Sequence, residues 1–229
     1  MEPTIYKPSI YKGAGIYKNG AAGGGGGETS FFRKGKYSLF GNFGLDVENK
    51  VFTPIFLTST AGGGFFAPIM NLYGFNKISI GTKFQKNSAG GSGSIISYQS
   101  TSSSFDNGRI FRITSDLYNN RIGVKLATGN SSWGSETYFN GYNFGQDIKI
   151  NVDIEKISNK YKFVLKINDI EKINTMIDDF LNGFYTPTFF CDAFARPNTT
   201  PAYTDLFYND KIYLEDTFMI VDDEKYFGL

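Results

Sequence analysis

The stretch IKINVDIEKISNKYKFVLKINDIEKI, residues 148–173, decides the fold class of this chain. Its first part carries an apolar residue at every second position: Ile148, Ile150, Val152 and Ile154. A second alternating segment follows a turn at Ser158-Asn159-Lys160, with Tyr161, Phe163, Leu165 and Ile167 on one side. Such alternation is typical of half-buried strands, so the two segments predict an antiparallel hairpin. Asn168-Asp169 predicts another turn into a third strand at 170–173.

Similar short segments occur along most of the chain. They are bounded by Gly, Asn, Asp or Ser, and lie at 78–84, 94–99, 109–114, 121–126 and 211–221. One segment, 174–181, has the apolar spacing of a helix, with Met176, Ile177, Phe180 and Leu181. About eight strands joined by turn residues, without crossover helices, predict an all-β protein with an antiparallel β-sandwich or jelly roll.

The chain divides into two parts at a glycine run. Residues 1–27 end in Gly23 to Gly27 and predict an extended anchoring arm with a flexible linker, and residues 28–229 predict the sandwich domain. Within 28–65, irregularly spaced aromatic residues predict either the first strands of the sandwich or a neck that packs against other copies: Phe31, Phe32, Tyr37, Phe40 and Phe43.

The arm repeats one tripeptide three times. The sequence Ile-Tyr-Lys stands at Ile5-Tyr6-Lys7, at Ile10-Tyr11-Lys12 and at Ile16-Tyr17-Lys18. Pro3 and Pro8 bias their neighbours towards extended backbone, so the arm is expected to lie flat instead of folding. Each repeat could add as a strand to an exposed sheet edge, with Tyr filling a pocket and Lys reaching an acidic rim. A disordered tail is the alternative for such a terminus.

Composition excludes several classes of function. The 229 residues carry a net charge of +1 and no basic stripe, which argues against nucleic-acid binding. There is no histidine and one cysteine, so the usual general base, zinc sites and disulfides are missing, and we expect no enzyme activity, no cofactor and no metal site. Calcium on loop carboxylates such as Asp116, Asp147 or Asp153 is the open alternative. The N-terminus lacks a signal-peptide pattern and no apolar run reaches the ~20 residues of a membrane span, so we expect a soluble protein without membrane insertion.

The centre of the β region resembles a known family. Phe111-Arg112-Ile113-Thr114, Asn119-Asn120-Arg121, Trp133-Gly134-Ser135-Glu136 and Phe144-Gly145-Gln146 follow the order found in concanavalin-like jelly rolls, and the spacing is most similar to the galectin branch. The resemblance implies that Trp133 stacks on the apolar face of a sugar and that Glu136 binds its hydroxyls.

The same resemblance sets limits on the ligand. Where the family has a His-x-Asn-x-Arg strand, this chain has Arg112, Thr114 and Asp116, and the position of the family's next Asn falls near Leu126. A carbohydrate site at Arg112, Asp116, Trp133 and Glu136 is therefore expected without galactose specificity. An ordinary structural tryptophan is the alternative for Trp133.

The whole-chain plan has a second resemblance. A Tyr- and Lys-rich arm, a glycine run and a concanavalin-like or laminin-G-like jelly roll look like phage head or tail fibre and decoration proteins. That implies a homo-oligomer in a virion, assembled in the host cytoplasm, whose arms bind other virion proteins and gain strength from multivalency. The sequence thus predicts a structural virion protein, with a module for host surface glycans as the alternative.

Overall fold

A computed structural model describes residues 38–40, 43–46, 50–54, 64–66, 70–71, 75–87, 93–100, 109–129, 132–178, 184–190 and 210–228. The arm and its Ile-Tyr-Lys repeats lie outside the described residues, as do Phe31, Phe32, Tyr37 and Cys191. The described residues contain no helix with the length and apolar character needed to cross a lipid bilayer.

The described chain forms seventeen strands. In chain order they are β1 Ser38–Phe40, β2 Phe43–Asp46, β3 Val51–Pro54, β4 Gly64–Phe66, β5 Met70–Asn71, β6 Lys77–Gln85, β7 Gly93–Ser100, β8 Arg109–Asp116, β9 Arg121–Gly129, β10 Ser132–Trp133, β11 Thr137–Asn140, β12 Asp147–Ile157, β13 Lys160–Ile167, β14 Ile170–Asp178, β15 Phe184–Phe189, β16 Lys211–Val221 and β17 Glu224–Phe227. A 3-10 turn, Leu117–Asn119, joins β8 to β9.

The strands build two antiparallel sheets. The nine-stranded sheet runs β1-β4-β15-β7-β8-β9-β10, with β5 also pairing with β15 and β11 with β9. The eight-stranded sheet runs β14-β13-β12-β6-β16-β3-β2, with β17 also pairing with β16. In the second sheet β6 lies between β12 and β16, and both of these follow it at a distance along the chain.

The two sheets pack face to face over one apolar core. Alternation gives β12 and β13 a buried side chain at every second position, as the hairpin pattern predicts. Phe111 from the nine-stranded sheet meets Phe163 from the other with ring centroids 5.4 Å apart, and Phe189 meets Phe227 at 5.3 Å. The prediction of an all-β antiparallel sandwich of jelly-roll type is therefore confirmed.

One predicted element is wrong. The sequence predicts a helix over 174–181, but residues up to Asp178 continue β14, which pairs with β13 along its length. Phe180 and Leu181 of that prediction lie outside the described residues. Met176 is 44% exposed and lies opposite Lys162, so its apolar side chain does not mark a buried helix face. Pairing with a stable neighbouring strand overrides the local helical spacing here.

The segment that predicted first strands or a neck is partly described. Ser38–Phe40 pairs with β4 in the nine-stranded sheet, whereas Phe43–Asp46 pairs with β3 in the eight-stranded one. These residues are therefore strands in the two sheets, and the division of the chain at residue 28 stays a prediction. The chain thus passes from one sheet to the other between Phe40 and Phe43.

Candidate functional site

The outer side of β8 and β9 carries a continuous polar surface. Phe111 and Ile113 point into the core, so alternation turns the residues between and after them outward. The register places three outward pairs side by side: Arg112 with Lys125, Thr114 with Gly123, and Asp116 with Arg121. The segment of β10 and β11 contributes two more residues, Glu136 and Tyr138. This surface is called the polar face below and comprises Arg112, Thr114, Asp116, Arg121, Gly123, Lys125, Glu136 and Tyr138.

Glu136 is anchored at the centre of the polar face. One of its carboxylate oxygens accepts a hydrogen bond from Thr114 Oγ1 at 3.0 Å, and the other accepts one from the Tyr138 hydroxyl at 2.9 Å. Lys125 Nζ lies 3.5 Å from that second oxygen. The carboxylate is thus fixed from three sides, with its side chain 20% exposed. Such prior fixing lowers the entropy cost when a ligand binds.

Gly123 makes room for this carboxylate. A Cβ built on Gly123 would collide with Glu136 Oε1 and would lie 2.6 Å from Thr114 Oγ1. Any other residue at this position would push Glu136 or Thr114 aside. The glycine therefore allows Glu136 to lie flat on the sheet.

Asp116 occupies the other end of the polar face. Arg121 Nε donates to its Oδ2 at 2.6 Å, and Asn119 Nδ2 lies 3.0 Å from both oxygens. Burial raises the pKa of this carboxyl, but the hydrogen bonds from Arg121 and Asn119 and the charge of Arg121 outweigh burial and hold it below its ordinary value. The Arg121 guanidinium also lies 3.7 Å from the Tyr138 ring centroid. The ionised form of Asp116 is therefore favoured, with its partners in place.

Arg112 differs from the other charged residues of the polar face. Its Nε is buried and has no hydrogen-bond partner, although the residue as a whole stays partly exposed. No side-chain hydrogen bond or ion pair joins Arg112 to the part of the chain that the structure describes. Its register neighbours are Lys125 on one side and the buried, neutral Ser97 on the other.

Trp133 lies on β10, which is only two residues long. It pairs with Ala127 of β9, and the following Gly134 N–H donates to the Leu126 carbonyl at 2.8 Å. Ala127 stands two residues after Lys125, so alternation puts Trp133 on the same side of the sheet as Lys125. The indole is half-buried.

The predicted carbohydrate residues thus share one surface. Two of them, Arg112 and Asp116, come from β8, and the other two, Trp133 and Glu136, come from β10 and the residues before β11. The register orders them along β9. Asp116 and Arg112 stand four residues apart on one strand, which is roughly 13 Å. Glu136 lies between those two ends, against Thr114.

Sequence reasoning missed other members of this surface. Lys125, Arg121 and Tyr138 were not predicted as site residues, and neither was Gly123. The alternation of Arg121, Gly123 and Lys125 in β9 was a usable signal, since it marks one face of a strand. Which of those residues meets Glu136 depends on the register, which the sequence does not reveal.

Asp147 is an acidic residue away from the polar face and has its own local partners. Asp147 Oδ2 lies 3.0 Å from Lys83 Nζ, and its Oδ1 accepts a hydrogen bond from the Tyr213 hydroxyl at 2.8 Å. Burial, followed by this bond, raises the pKa of Tyr213 to about 12. Within the described ranges no three or more Cys, Asp or Glu residues come together as metal ligands.

Comparisons with known proteins add structural neighbours only. No protein-family model matches the chain, and no curated protein matches it by sequence. A carbohydrate-binding module from Bacillus subtilis is 9% identical, with a TM-score of 0.42 over 80% of this chain and 94% of its own. An alginate lyase from Pseudomonas aeruginosa is 9% identical, with a TM-score of 0.47 over 75% of this chain and 82% of its own. Domains LG4-5 of the mouse laminin alpha1 chain are 8% identical, with a TM-score of 0.46 over 72% of this chain and 40% of theirs.

These neighbours include both binding modules and enzymes. At such identities and TM-scores none of them assigns a ligand or a reaction to this chain. The prediction that the protein is not an enzyme stays a prediction.

Proposed function

We propose that this protein binds carbohydrate on the polar face of the nine-stranded sheet. The observation that carries the proposal is the convergence of three kinds of group on one outer surface: the half-buried Trp133, the anchored Glu136 and the cationic Arg112. Sugars combine apolar ring faces with a rim of hydroxyls, so a site for them needs an aromatic ring beside fixed donors and acceptors.

Binding is favoured over hydrolysis by the state of Asp116. A glycosidase needs one carboxyl that is protonated at the working pH and a second one nearby. Asp116 is the other carboxylate of the polar face, and Arg121 and Asn119 keep it ionised. It is unsuited to donate a proton to a leaving group.

The experiment uses the intrinsic fluorescence of the protein. Trp133 is the only tryptophan, so its emission reports directly on this surface without a label. Glycans selected on an array are titrated against the full chain, and binding is expected to shift the emission with saturation. Because Trp133→Ala lacks this fluorophore, affinities are compared by isothermal titration calorimetry for wild type, Trp133→Ala and Tyr226→Ala. Tyr226→Ala is the control from the other sheet.

The results separate a sugar site from an ordinary structural tryptophan. We expect Trp133→Ala to lose at least tenfold in affinity and Tyr226→Ala to keep it, with both variants folded by circular dichroism. If the array shows no glycan that shifts the emission, the polar face is not a sugar site. Equal affinity for the wild type and Trp133→Ala would remove Trp133 from the site.

The arm supports a second candidate function. We infer from the three Ile-Tyr-Lys repeats that residues 1–27 attach the sandwich to other proteins of a virion, as equivalent anchors presented by a homo-oligomer. This attachment and glycan binding are compatible, since they use different parts of the chain. It predicts that deleting residues 1–27 abolishes incorporation into particles while the sandwich still folds; unchanged incorporation would end this hypothesis.

A further inference from the structure

We propose that the ligand of the polar face is an anionic glycan whose carboxylate or sulfate binds at the Arg112–Lys125 pair. This inference rests on the proposed function and specifies its substrate class. It follows from the distribution of charge over the polar face.

The charges of the polar face do not balance locally. Asp116 forms an ion pair with Arg121, with 2.6 Å between Oδ2 and Nε. Glu136 forms one with Lys125, with 3.5 Å between Oε2 and Nζ. Arg112 is the cation of this surface that no described carboxylate neutralises. An excess positive charge therefore lies at one defined position.

The position of that excess charge is unfavourable for the free protein. Arg112 and Lys125 are direct partners across β8 and β9, where like charges destabilise a sheet. Arg112 has also lost water from its Nε without gaining a protein acceptor, and an unsatisfied buried donor costs free energy. The repulsion between the two cations falls when an anion lies against the pair.

The neighbouring groups define where the anion would bind. Glu136 repels an anion at the Thr114–Gly123 step and lies against Lys125, whereas no described carboxylate contacts the Arg112 side chain. Lys125 keeps 36% of its side chain exposed, so it stays accessible while paired with Glu136. The next step along β9 is Ala127, opposite Trp133. The anionic group would thus bind between a hydrogen-bonding carboxylate on one side and the indole on the other.

The chemistry of arginine suits this ligand class. A planar guanidinium forms paired hydrogen bonds with carboxylate or sulfate, and such charge-assisted bonds are about twice as strong as neutral ones. A uronate or a sulfated sugar offers this group together with hydroxyls for Glu136. A neutral sugar would leave the Arg112 charge uncompensated.

The experiment compares ligands that differ only in charge. Oligogalacturonate is titrated beside its neutral methyl ester, and a sulfated oligosaccharide beside its desulfated form, so the two anion sources are distinguished. The wild-type chain is expected to bind at least one acidic member about tenfold or more tightly than its neutral partner. The preference should weaken as salt rises.

Two variants test the role of the arginine. Arg112→Met keeps the side-chain volume while removing the charge, and is expected to reduce the acid preference to about twofold or less. Lys162→Met makes the same change on the outer side of β13, in the other sheet, and should keep the preference. Because Arg112→Met also removes the repulsion from Lys125, its melting temperature should equal or exceed that of the wild type, which separates lost binding from lost folding.

Each failure has its own meaning. Trp133-dependent binding with equal affinity for acid and ester overturns the anionic ligand and leaves glycan binding intact. No Trp133-dependent binding of any glycan overturns both proposals. Equal Arg112-dependent binding of single-stranded DNA would show a general polyanion site and overturn the assignment to sugars.

Discussion

Replacing Gly123 by alanine tests whether the polar face depends on an open position in β9. The new methyl group would collide with Glu136 Oε1 and lie 2.6 Å from Thr114 Oγ1, against an ordinary contact of about 3.5–4.0 Å. Glu136 has a flexible end and can swing away. Thr114 is β-branched, which restricts its rotation, so the clash there is harder to relieve.

The expected loss of stability in Gly123→Ala can be worked out from the interactions that the substitution removes. If Glu136 leaves the sheet, its part-buried hydrogen bond with Thr114 is lost, at about 1 kcal/mol. Its bond with Tyr138 is exposed, so water can replace it. Residual overpacking against Thr114 adds about 1 kcal/mol. The entropy that alanine removes from the unfolded chain offsets about 0.4–1 kcal/mol. We therefore expect Gly123→Ala to lose about 1–1.5 kcal/mol in the free energy of unfolding.

Gly129 supplies a matched control in the same strand. A Cβ on Gly129 would have Ser132 Cβ at 4.0 Å as its nearest neighbour, an ordinary contact. Gly129→Ala should leave stability unchanged or raise it by up to about 1 kcal/mol. Urea unfolding with equal m-values measures both variants. If they agree within about 0.5 kcal/mol, the anchoring of Glu136 over Gly123 contributes nothing and the reasoning is refuted.

Three further predictions concern other parts of the described chain. Because the pKa of Asp116 is lowered in the folded state, its ionised form stabilises the fold above its ordinary pKa of 3.8, and this stabilisation is lost as pH falls below that value. Urea unfolding should show that wild type exceeds Asp116→Asn in stability by less at pH 3 than at pH 7. An equal stability difference at the two pH values would contradict this. Because the pKa of Tyr213 is raised to about 12, its neutral hydroxyl stabilises the fold fully below about pH 10, and this stabilisation is lost as pH rises through 12. The free energy of unfolding of wild type should therefore fall over this range relative to that of Tyr213→Phe. Parallel plots of unfolding free energy against pH for the two proteins would rule this out. Phe163→Ala removes a fully buried ring and should cost about 3–5 kcal/mol, whereas Met176→Ala on the exposed side of β14 should stay within about 0.5 kcal/mol; similar losses for the two would mean that the core is misassigned.

The sequence predicts the regular strands well because their burial is one-sided. Alternation in 148–167 matches the hairpin of β12 and β13, and 211–221 matches β16. The error at 174–178 has a physical cause: β14 is an edge strand with much of its surface exposed, so its burial pattern is weak and the apolar spacing of Met176 and Ile177 fits a helix equally well.

Short strands were harder to predict for a different reason. β15 contains Pro187, which usually argues against a strand inside a sheet. In this sheet β4 pairs with Thr188 and Phe189, and β5 pairs with Phe184 and Tyr185, so Pro187 lies between the two pairings on that side. Only the assembled sheet reveals that gap.

The candidate site was predicted in part. The Trp-Gly-Ser-Glu motif places Trp133 and Glu136 near one another through local spacing alone. The partners of Glu136 come from β8, β9 and β11, and a shift of one residue in any register would turn them to the other face. Thr114, Lys125 and Tyr138 therefore enter the site through tertiary pairing.

The position of β6 between β12 and β16 has a consequence for biosynthesis. β6 emerges from the ribosome long before its second partner, because β16 ends roughly 130 residues later. At about 5–20 residues per second, the delay is about 7–26 s, during which one hydrogen-bonding edge of this strand stays open. A nascent chain in that state exposes an apolar strand able to pair with other copies. We expect truncation before Lys211 to leave the protein insoluble, so that its yield in cells depends on completing the last strands.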